Sequence, residues 1–278
     1  GDMVWSAAVP EELRSRATAV IGNFPVSQAS QYTRLEWLQT FSAGVDAYIC
    51  PGVLPRGTMV TNASGAYGQS VSEHLFATMW ALMKNLNRYA SNQRDHQWQD
   101  EGPVLSPEGG IALIIGVGDI GSHFAQLAQS VGMRTFGVRR HADVPAKGIE
   151  KMYGFERLET LLPLADVVAM AVPRSPQTHH LLNADRLGRL KSTAIVINPE
   201  ALADALHNGR LHGAGLDVTE PEPLPAESPL WDEPHCLITP HVAGGNHLEK
   251  TSEHIIRIAL TNVSRYAKQQ ELLNLVRY

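Results

Sequence analysis

An apolar strand that leads through a glycine-rich turn into a helix constrains the fold of this 278-residue chain more than any other feature. Ile111–Ile115 is apolar throughout, and Gly116–Gly121 follows it with the spacing G-x-G-x-x-G. Ser122–Val131 is amphipathic at helical spacing, and a second strand-like run, Thr135–Val138, comes next. A strand, a helix and a second strand in this order form a βαβ unit with parallel strands. The chain is therefore predicted to contain a parallel α/β sheet.

The three glycines of this turn have separate roles in such a unit. Gly116 makes the tight turn, Gly118 lets the backbone approach a pyrophosphate, and Gly121 lets the helix pack closely on the strand. Backbone N–H groups at the start of the helix, which include Asp119 and Ile120, would then face the anion. The sequence predicts a dinucleotide-binding site, and the alternative is a glycine turn without a ligand.

Two arginines at the end of the second strand bear on the choice of cofactor. NAD sites usually carry a carboxylate about 20 residues after the turn, where it accepts hydrogen bonds from the ribose 2′-hydroxyl. Arg139 and Arg140 stand there instead, with His141 beside them. A guanidinium forms bidentate, charge-assisted bonds with a phosphate. We therefore predict that NADP(H) is favoured over NAD(H); the alternative is a pair of solvated surface arginines.

The remaining segments continue the α/β pattern and predict the domain organisation. Further predicted strands are Ala19–Ile21, Leu35–Thr40, Val60–Asn62, Asp166–Ala171, Thr193–Ile197, Gly215–Val218 and Cys236–Ile238. Predicted helices are Ser70–Asn87, Ala201–Asn208 and His247–Lys268, while Tyr89–Pro107 is expected to be irregular. We predict an α/β fold of two Rossmann-like domains with doubly wound parallel sheets. A cofactor domain, residues 71–245, is inserted in a smaller flavodoxin-like substrate domain formed by residues 1–70 and 246–278.

Composition excludes several classes of function. A formal net charge of −5 argues against general nucleic-acid binding, which needs a concentrated basic surface. The two cysteines, Cys50 and Cys236, offer neither a disulfide framework nor metal-ligand spacing, and we expect both to be buried. No apolar run is long enough to cross a bilayer, and no signal peptide is visible. We expect a cytoplasmic protein with no metal site and no membrane or nucleic-acid partner.

Two segments near the C-terminus carry the residues expected for acid–base chemistry. Leu216–Pro223 reads LDVTEPEP and Ile238–Gly245 reads ITPHVAGG. Reduction of a ketone by hydride transfer requires a proton for the developing alkoxide, and histidine is the usual donor near neutral pH. His241 is therefore the candidate acid, and a carboxylate such as Glu222 could orient its ring.

Together these segments resemble the D-isomer-specific 2-hydroxyacid dehydrogenase family, which includes phosphoglycerate, glyoxylate, hydroxypyruvate and D-lactate enzymes. The resemblance covers nearly the whole chain. It rests on the glycine turn and on Phe41–Asp46, Asn62–His74, Ala171–Asn183, Leu216–Pro223 and Ile238–Gly245. It implies an NAD(P)-dependent oxidoreductase that interconverts small 2-keto acids and D-2-hydroxy acids.

The resemblance also implies roles for individual residues. His241 would be the general acid/base, Glu222 its partner, and Asp217 a contact of the nicotinamide carboxamide. The expected substrate-binding residues are Ser42, Ala43 and Gly44, through their N–H groups, with Tyr67 nearby. The remaining expected cofactor-binding residues are Val172, Pro173 and Thr178, on the adenosine side, and Gly244. Glu73 and His74 would pack a helix.

One departure from the family leaves two interpretations open. The family has a catalytic arginine in a segment like Val-Gly-Arg-Gly, but this chain passes from Ile197-Asn198 to Pro199 without one. In the first interpretation, about seven residues, including Gly-Arg-Gly, belong between Ile197 and Pro199 in an active enzyme, because a strand normally needs a loop before its helix. In the second, the chain is a catalytically impaired, NAD(P)-sensing binding protein of the same fold, like known corepressors. The pairing of His241 with Glu222 favours the enzyme.

Family members are dimers, so the resemblance also implies a homodimer. The aromatic and polar stretch Tyr89–Trp98 is the expected arm between subunits.

Overall fold

The chain divides into two compact units, which we describe separately. This computed structural model describes residues 8–173, 175, 177–197, 210–245 and 247–278. One unit combines Gly1–Tyr67 with Leu248–Tyr278, and the other is the continuous segment Gly68–His247. These bounds lie close to residues 70 and 246, where the sequence places the limits of the cofactor domain. The assignment of the two units to substrate and cofactor remains a prediction.

The continuous unit is built on a parallel sheet of seven described strands. They are β4 (Ile111–Ile115), β5 (Arg134–Val138), β6 (Lys151–Tyr153), β7 (Val167–Met170), β8 (Ile195–Ile197), β9 (Gly213–Leu216) and β10 (Cys236–Ile238). Their order across the sheet is β10-β9-β8-β7-β4-β5-β6. The direction of winding reverses between β4 and β7, and open α/β sheets bind ligands in the crevice at such a point.

Helices cover both faces of this sheet. The described helices of the unit are α3 (Gly68–Met83), α4 (Leu86–Arg94), α5 (Asp119–Ser130), α6 (Leu158–Leu161) and α7 (Ala184–Leu187). Alternate residues of β4 point to opposite faces. Ala112 and Ile114 pack in one buried cluster with residues of α3 and α5. Leu113 and Ile115 pack in another with residues of α6 and α7. The sheet is therefore doubly wound, as predicted.

The discontinuous unit contains a smaller parallel sheet. Its strands, in the order β1-β2-β3, are β1 (Ala19–Ile21), β2 (Trp37–Gln39) and β3 (Met59–Thr61), and its helices are α1 (Glu11–Arg14), α2 (Asp46–Ile49) and α8 (Glu249–Ala267). A buried polar contact joins its two chain segments, because Asn262 Nδ2 of α8 donates to Gln39 Oε1 over 2.7 Å. Nearby, the rings of Trp37 and Tyr266 stack with their centroids 4.7 Å apart.

Most predicted strands are confirmed, and the differences have local causes. The helix predicted over 70–87 ends at Met83 because Asn85 adopts a left-handed backbone conformation, with φ of +55°. The stretch expected to be irregular from Tyr89 is helical as far as Arg94. Strand β6 was not predicted, since its sequence Lys-Met-Tyr lacks an apolar run. The helix predicted over 201–208 lies outside the described residues.

Two expectations from composition can be compared with the structure. Both cysteines are free, but Cys50 is exposed and Cys236 is only partly buried, so the expected burial of both is wrong. Cys50 is exposed because it follows the short helix α2 at the start of a loop. Among the described residues, no helix has the length and apolar character required to cross a membrane.

Candidate active site

The glycine turn lies at the reversal point of the large sheet, and its glycines differ in their surroundings. Gly116 has φ of +95°, and a Cβ there would lie 2.5 Å from the carbonyl group of Ala171. A Cβ on Gly121 would lie 2.1 Å from the carbonyl oxygen of Gly116. Around Gly118, by contrast, nothing lies within 4 Å of such a Cβ. The fold itself requires the first and third glycines, whereas the second borders open space that a ligand could fill.

Helix α5 begins directly after this open space. Gly118 is its N-cap residue, and its carbonyl oxygen accepts the hydrogen bond of Ser122 N–H over 3.0 Å. The N–H groups of Asp119, Ile120 and Gly121 belong to the first turn and have no acceptor within the helix. Such a turn favours an anion. The open space and the N–H groups together fit the pyrophosphate of a dinucleotide.

The two arginines after β5 are placed differently. The guanidinium of Arg139 donates to three carbonyl oxygens: from Nε to His141 over 2.9 Å, from one terminal nitrogen to Val117 over 3.2 Å, and from the other to Val144. Arg139 thereby holds Val117, which lies within the glycine turn. Arg140 is exposed and forms no hydrogen bond or ion pair with another described residue.

The segment expected to border adenosine is closed by a threonine. Thr178 Oγ1 donates to the carbonyl oxygen of Pro173 over 2.7 Å and accepts from Ser175 N–H over 2.8 Å. Val172 packs against the core of the sheet. In the structure Thr178 therefore shapes this loop, and its contact with a cofactor remains a prediction.

The structure brings together His241 and Glu222, the two residues of the predicted acid–base pair. His241 Nδ1 lies 2.8 Å from Glu222 Oε2, and the second carboxylate oxygen of Glu222 accepts the N–H of Thr219 over 3.0 Å. The side chains of His241 and Glu222 are 61% and 40% exposed. The carboxylate therefore orients the ring through Nδ1, while the exposed ring can meet a small molecule through Nε2.

Asp217 anchors the backbone on both sides of His241. Its carbonyl oxygen accepts His241 N–H over 2.8 Å. Its carboxylate accepts the Thr239 hydroxyl over 2.7 Å, Val242 N–H over 2.9 Å and Ala243 N–H over 3.0 Å. Asp217 is only 7% exposed. The sequence did not predict this anchoring role, although the position of Asp217 directly after β9, the neighbour of β10 in the sheet, was a signal for it.

The turn after His241 contains the glycine expected to contact the cofactor. Gly244 is partly exposed, and the turn is closed by a 3.0 Å hydrogen bond from Gly245 N–H to the carbonyl oxygen of Val242.

A contact between a histidine and a glutamate links the loop of Glu222 to the segment that follows Thr178. His179 Nε2 lies 3.5 Å from Glu220 Oε2, and its ring stacks on His180 with the centroids 3.9 Å apart. The ligand atoms of these three exposed residues lie within 4.8 Å of one another. The sequence predicts no metal site, and that absence stays a prediction.

In the discontinuous unit, the loop after β2 presents three consecutive N–H groups. Its carbonyl oxygens are occupied: that of Ser42 accepts Ala63 N–H over 3.0 Å, and that of Ala43 accepts Asn62 Nδ2 over 2.8 Å. The Ser42 hydroxyl donates to the carbonyl oxygen of Gly44 over 2.8 Å. The N–H groups of Ser42, Ala43 and Gly44 donate to no other described residue. This pattern fixes the loop and leaves its donors available for an anion.

Tyr67 holds the same loop through a hydrogen bond. Its hydroxyl donates to the carbonyl oxygen of Phe41, immediately before Ser42. Burial raises the pKa of Tyr67 above its usual value, so the hydroxyl remains a donor at neutral pH.

Comparison with known proteins places these features in one family. Residues 76–243 match the NAD-binding domain of the D-isomer specific 2-hydroxyacid dehydrogenases. A glyoxylate reductase of Korarchaeum cryptofilum is 29% identical over 258 residues, which cover 87% of this chain and 76% of that protein.

Solved structures agree with this match. The structure of a D-isomer specific 2-hydroxyacid dehydrogenase family protein from Aeromonas salmonicida is similar with a TM-score of 0.85 and 31% identity, covering 96% of this chain and 87% of that one. A D-isomer specific 2-hydroxyacid dehydrogenase from Xanthobacter autotrophicus, solved with NADPH and MES, gives a TM-score of 0.80 and 26% identity, covering 95% and 85%. This chain therefore belongs to the D-isomer specific 2-hydroxyacid dehydrogenase family of oxidoreductases.

Proposed function

We propose that this protein reduces small 2-keto acids to D-2-hydroxy acids with NADPH. The hydrogen-bonded pair of His241 and Glu222 is the observation that carries the proposal. An acid–base pair is required for turnover, whereas the sensing of a cofactor does not require one. The name of the K. cryptofilum relative, glyoxylate reductase, supports a small 2-keto acid as substrate.

His241 supplies the proton in this reaction. When bound, the reduced nicotinamide supplies the hydride that adds to C2 of the keto acid. As the C=O bond becomes a C–O bond, the carbonyl oxygen takes the proton from Nε2 of His241, and a hydroxy acid results. Glu222 holds Nδ1 and so fixes the orientation of the ring before the transfer. In the reverse direction, the neutral ring takes the hydroxyl proton.

The substrate carboxylate binds, in this proposal, to the N–H groups of Ser42, Ala43 and Gly44. Carboxylates accept hydrogen bonds from consecutive backbone N–H groups in the same way as other anions. Tyr67 keeps the loop in place through Phe41. The three donors distinguish a keto acid from a simple ketone or aldehyde, which would leave them without an acceptor.

The preference for NADPH rests on charge after β5. Arg140 is an exposed cation, and Arg139 lies beside it. Neither residue is a carboxylate that would repel a 2′-phosphate. The X. autotrophicus relative was solved with NADPH.

The arginine expected from the family falls at 198–200, outside the described residues. A guanidinium there would polarise the substrate carbonyl and contribute several kcal/mol to transition-state stabilisation. We propose that an active enzyme carries it in about seven further residues after Ile197. Intact mass spectrometry of the naturally expressed protein tests this, since the sequence as it stands gives 30.4 kDa. A mass equal to that value refutes the added loop.

A substrate panel tests the proposed reaction. Glyoxylate, hydroxypyruvate and pyruvate are offered with NADPH and with NADH, and loss of reduced cofactor is followed by absorbance. We expect turnover of at least one keto acid, faster with NADPH, and a product of D configuration by chiral chromatography when the substrate is hydroxypyruvate or pyruvate. A protein that binds NADPH but turns over no keto acid would contradict the proposal.

A further inference from the structure

Helix α3 lies unusually close to strand β9 because two glycines remove the side chains between them. A Cβ on Gly215 would lie 2.2 Å from Cγ2 of Thr78, and one on Gly213 would lie 3.1 Å from Cδ2 of Leu82. Thr78 and Leu82 are both buried residues of α3. The helix therefore rests directly on the backbone of the strand.

This packing brings His74 to the end of β9. His74 lies one turn before Thr78 on α3, a rise of about 6 Å. Asp217 lies two residues beyond Gly215, about 6.6 Å along the extended chain. The two distances match, so the ring of His74 meets the residues that hold the His241 loop. Its Nε2 lies 2.9 Å from Thr239 Oγ1 and 3.8 Å from Asp217 Oδ1.

The direction of these hydrogen bonds follows from the single hydrogen of a hydroxyl group. Thr239 Oγ1 lies 2.7 Å from the Asp217 carboxylate and 3.5 Å from the carbonyl oxygen of Leu216. The short, charge-assisted contact takes the hydrogen. Thr239 must then accept from His74, whose proton is therefore on Nε2. The chain of donors runs from His74 through Thr239 to Asp217.

We propose that His74 is a positioning residue for His241, a role that rests on the proposed function of His241 as the acid. By donating to Thr239, it fixes the hydroxyl that holds the Asp217 carboxylate. That carboxylate in turn holds the N–H groups of Val242 and Ala243. His241 itself has φ of +50°, a left-handed conformation that a residue with a side chain keeps only when its surroundings hold it. The family resemblance implies only helix packing for His74.

Helix α3 also holds this loop at a second point. The Ser70 hydroxyl donates to the carbonyl oxygen of Ala243 over 2.6 Å. Loss of the His74 bond should therefore loosen the loop rather than release it, and we expect a moderate effect.

Amide hydrogen exchange measures the positioning directly and does not depend on substrate. In His74→Leu, the amides of Val242 and Ala243 should exchange about tenfold faster than in the parent protein. Glu73→Gln is the matched control, because within the described part of the chain the exposed Glu73 bonds only to Gln69 on its own helix. His74→Gln retains a donor and should restore much of the protection. Unchanged exchange in His74→Leu would overturn the proposal.

Kinetics separate positioning from a general effect on the fold. His74→Leu and Thr239→Val should each lower kcat about tenfold while the Kd for NADPH stays constant. Because Thr239→Val already removes the bond to His74 along with the bond to Asp217, the double variant should be no slower than Thr239→Val alone. Losses that multiply, or a loss confined to NADPH binding, would refute the role.

A second variant and a measurement that does not depend on substrate complete the test. Should His74→Leu fold poorly, Thr239→Val removes the acceptor of the His74 bond, together with the bond to Asp217, in a side chain of nearly the same shape, and unchanged exchange in that variant would overturn the proposal. A parent protein that turns over no keto acid would defeat the proposed function alone, since exchange at Val242 and Ala243 would still report on the His74 bond.

Discussion

Replacement of Arg140 by alanine should remove the preference for NADPH with little effect on NADH. The two neighbouring arginines are in different situations. Arg140 has no partner among the described residues, so its guanidinium is available to a ligand phosphate. The guanidinium of Arg139 donates hydrogen bonds to three carbonyl oxygens, one of which belongs to Val117 in the glycine turn. Its replacement should therefore disturb binding of both cofactors.

The size of the Arg140 effect follows from its exposure. A hydrogen bond to a charged group contributes roughly 1.5–3 kcal/mol, and an exposed one lies at the lower end because water competes for both partners. About 1.5–2 kcal/mol corresponds to a loss of roughly 10–30-fold in kcat/KM for NADPH. NADH lacks the 2′-phosphate, so its kcat/KM should change by less than about twofold.

The assay is the ratio of kcat/KM for NADPH and NADH with one keto acid at saturation. Arg134→Ala is the matched control for charge. Arg134 begins the same strand, about 13 Å from its far end, and pairs with Glu150 over 2.7 Å. An Arg140→Ala variant that loses activity equally with both cofactors, or with neither, would refute the reasoning. A loss of activity confined to NADPH in Arg139→Ala would instead identify Arg139 as the residue that binds the 2′-phosphate.

Further predictions concern the acid, the thiols and the subunit contact. His241→Gln should lower kcat at least about 100-fold and leave the Kd for NADPH unchanged in a fluorescence titration; full activity would rule out His241 as the acid. Glu222→Gln should lower kcat for reduction, because the imidazole loses the carboxylate that orients its ring, and an unchanged kcat would contradict that partnership. Burial raises the pKa of Cys236 to about 12, so at pH near 8 a thiol reagent should modify only Cys50 until the protein unfolds; two fast thiols would disprove this. Trp98, in the expected arm between subunits, is fully exposed at 106%. Trp98→Lys should convert a dimer of twice 30.4 kDa to a monomer in light scattering. A parent protein that is already monomeric would refute the arm hypothesis.

Much of the large sheet could be predicted because its strands are short apolar runs bounded by turn residues. Ile111–Ile115 and Cys236–Ile238 match the observed strands at both ends. Lys151–Tyr153 could not be found in this way, because an edge strand needs little apolar character and its exposed lysine breaks the pattern. Residue Asn85 ends a helix through backbone conformation, which composition does not reveal.

The candidate site was predictable where neighbours in sequence are neighbours in space. The glycine turn and its helix are one continuous segment, and the pair of His241 with Glu222 followed from the family resemblance. The bond from His74 to Thr239 joins residues 165 positions apart, and nothing local to either residue indicates it. Among the described residues, Arg139 is hydrogen-bonded and Arg140 is not because of where the following turn places its carbonyl oxygens, and the identity of the two residues does not predict that placement.

The discontinuous unit has a consequence for the order in which the protein folds during synthesis. Strands β1 to β3 leave the ribosome first, yet Gln39 finds its buried partner Asn262 only 223 residues later. The continuous unit, Gly68–His247, is complete before that partner emerges. Domains usually fold from the N-terminus onward during translation. In this chain β1 to β3 must wait for α8, so the glycine turn can be in place while the smaller sheet still lacks its buried contact with that helix.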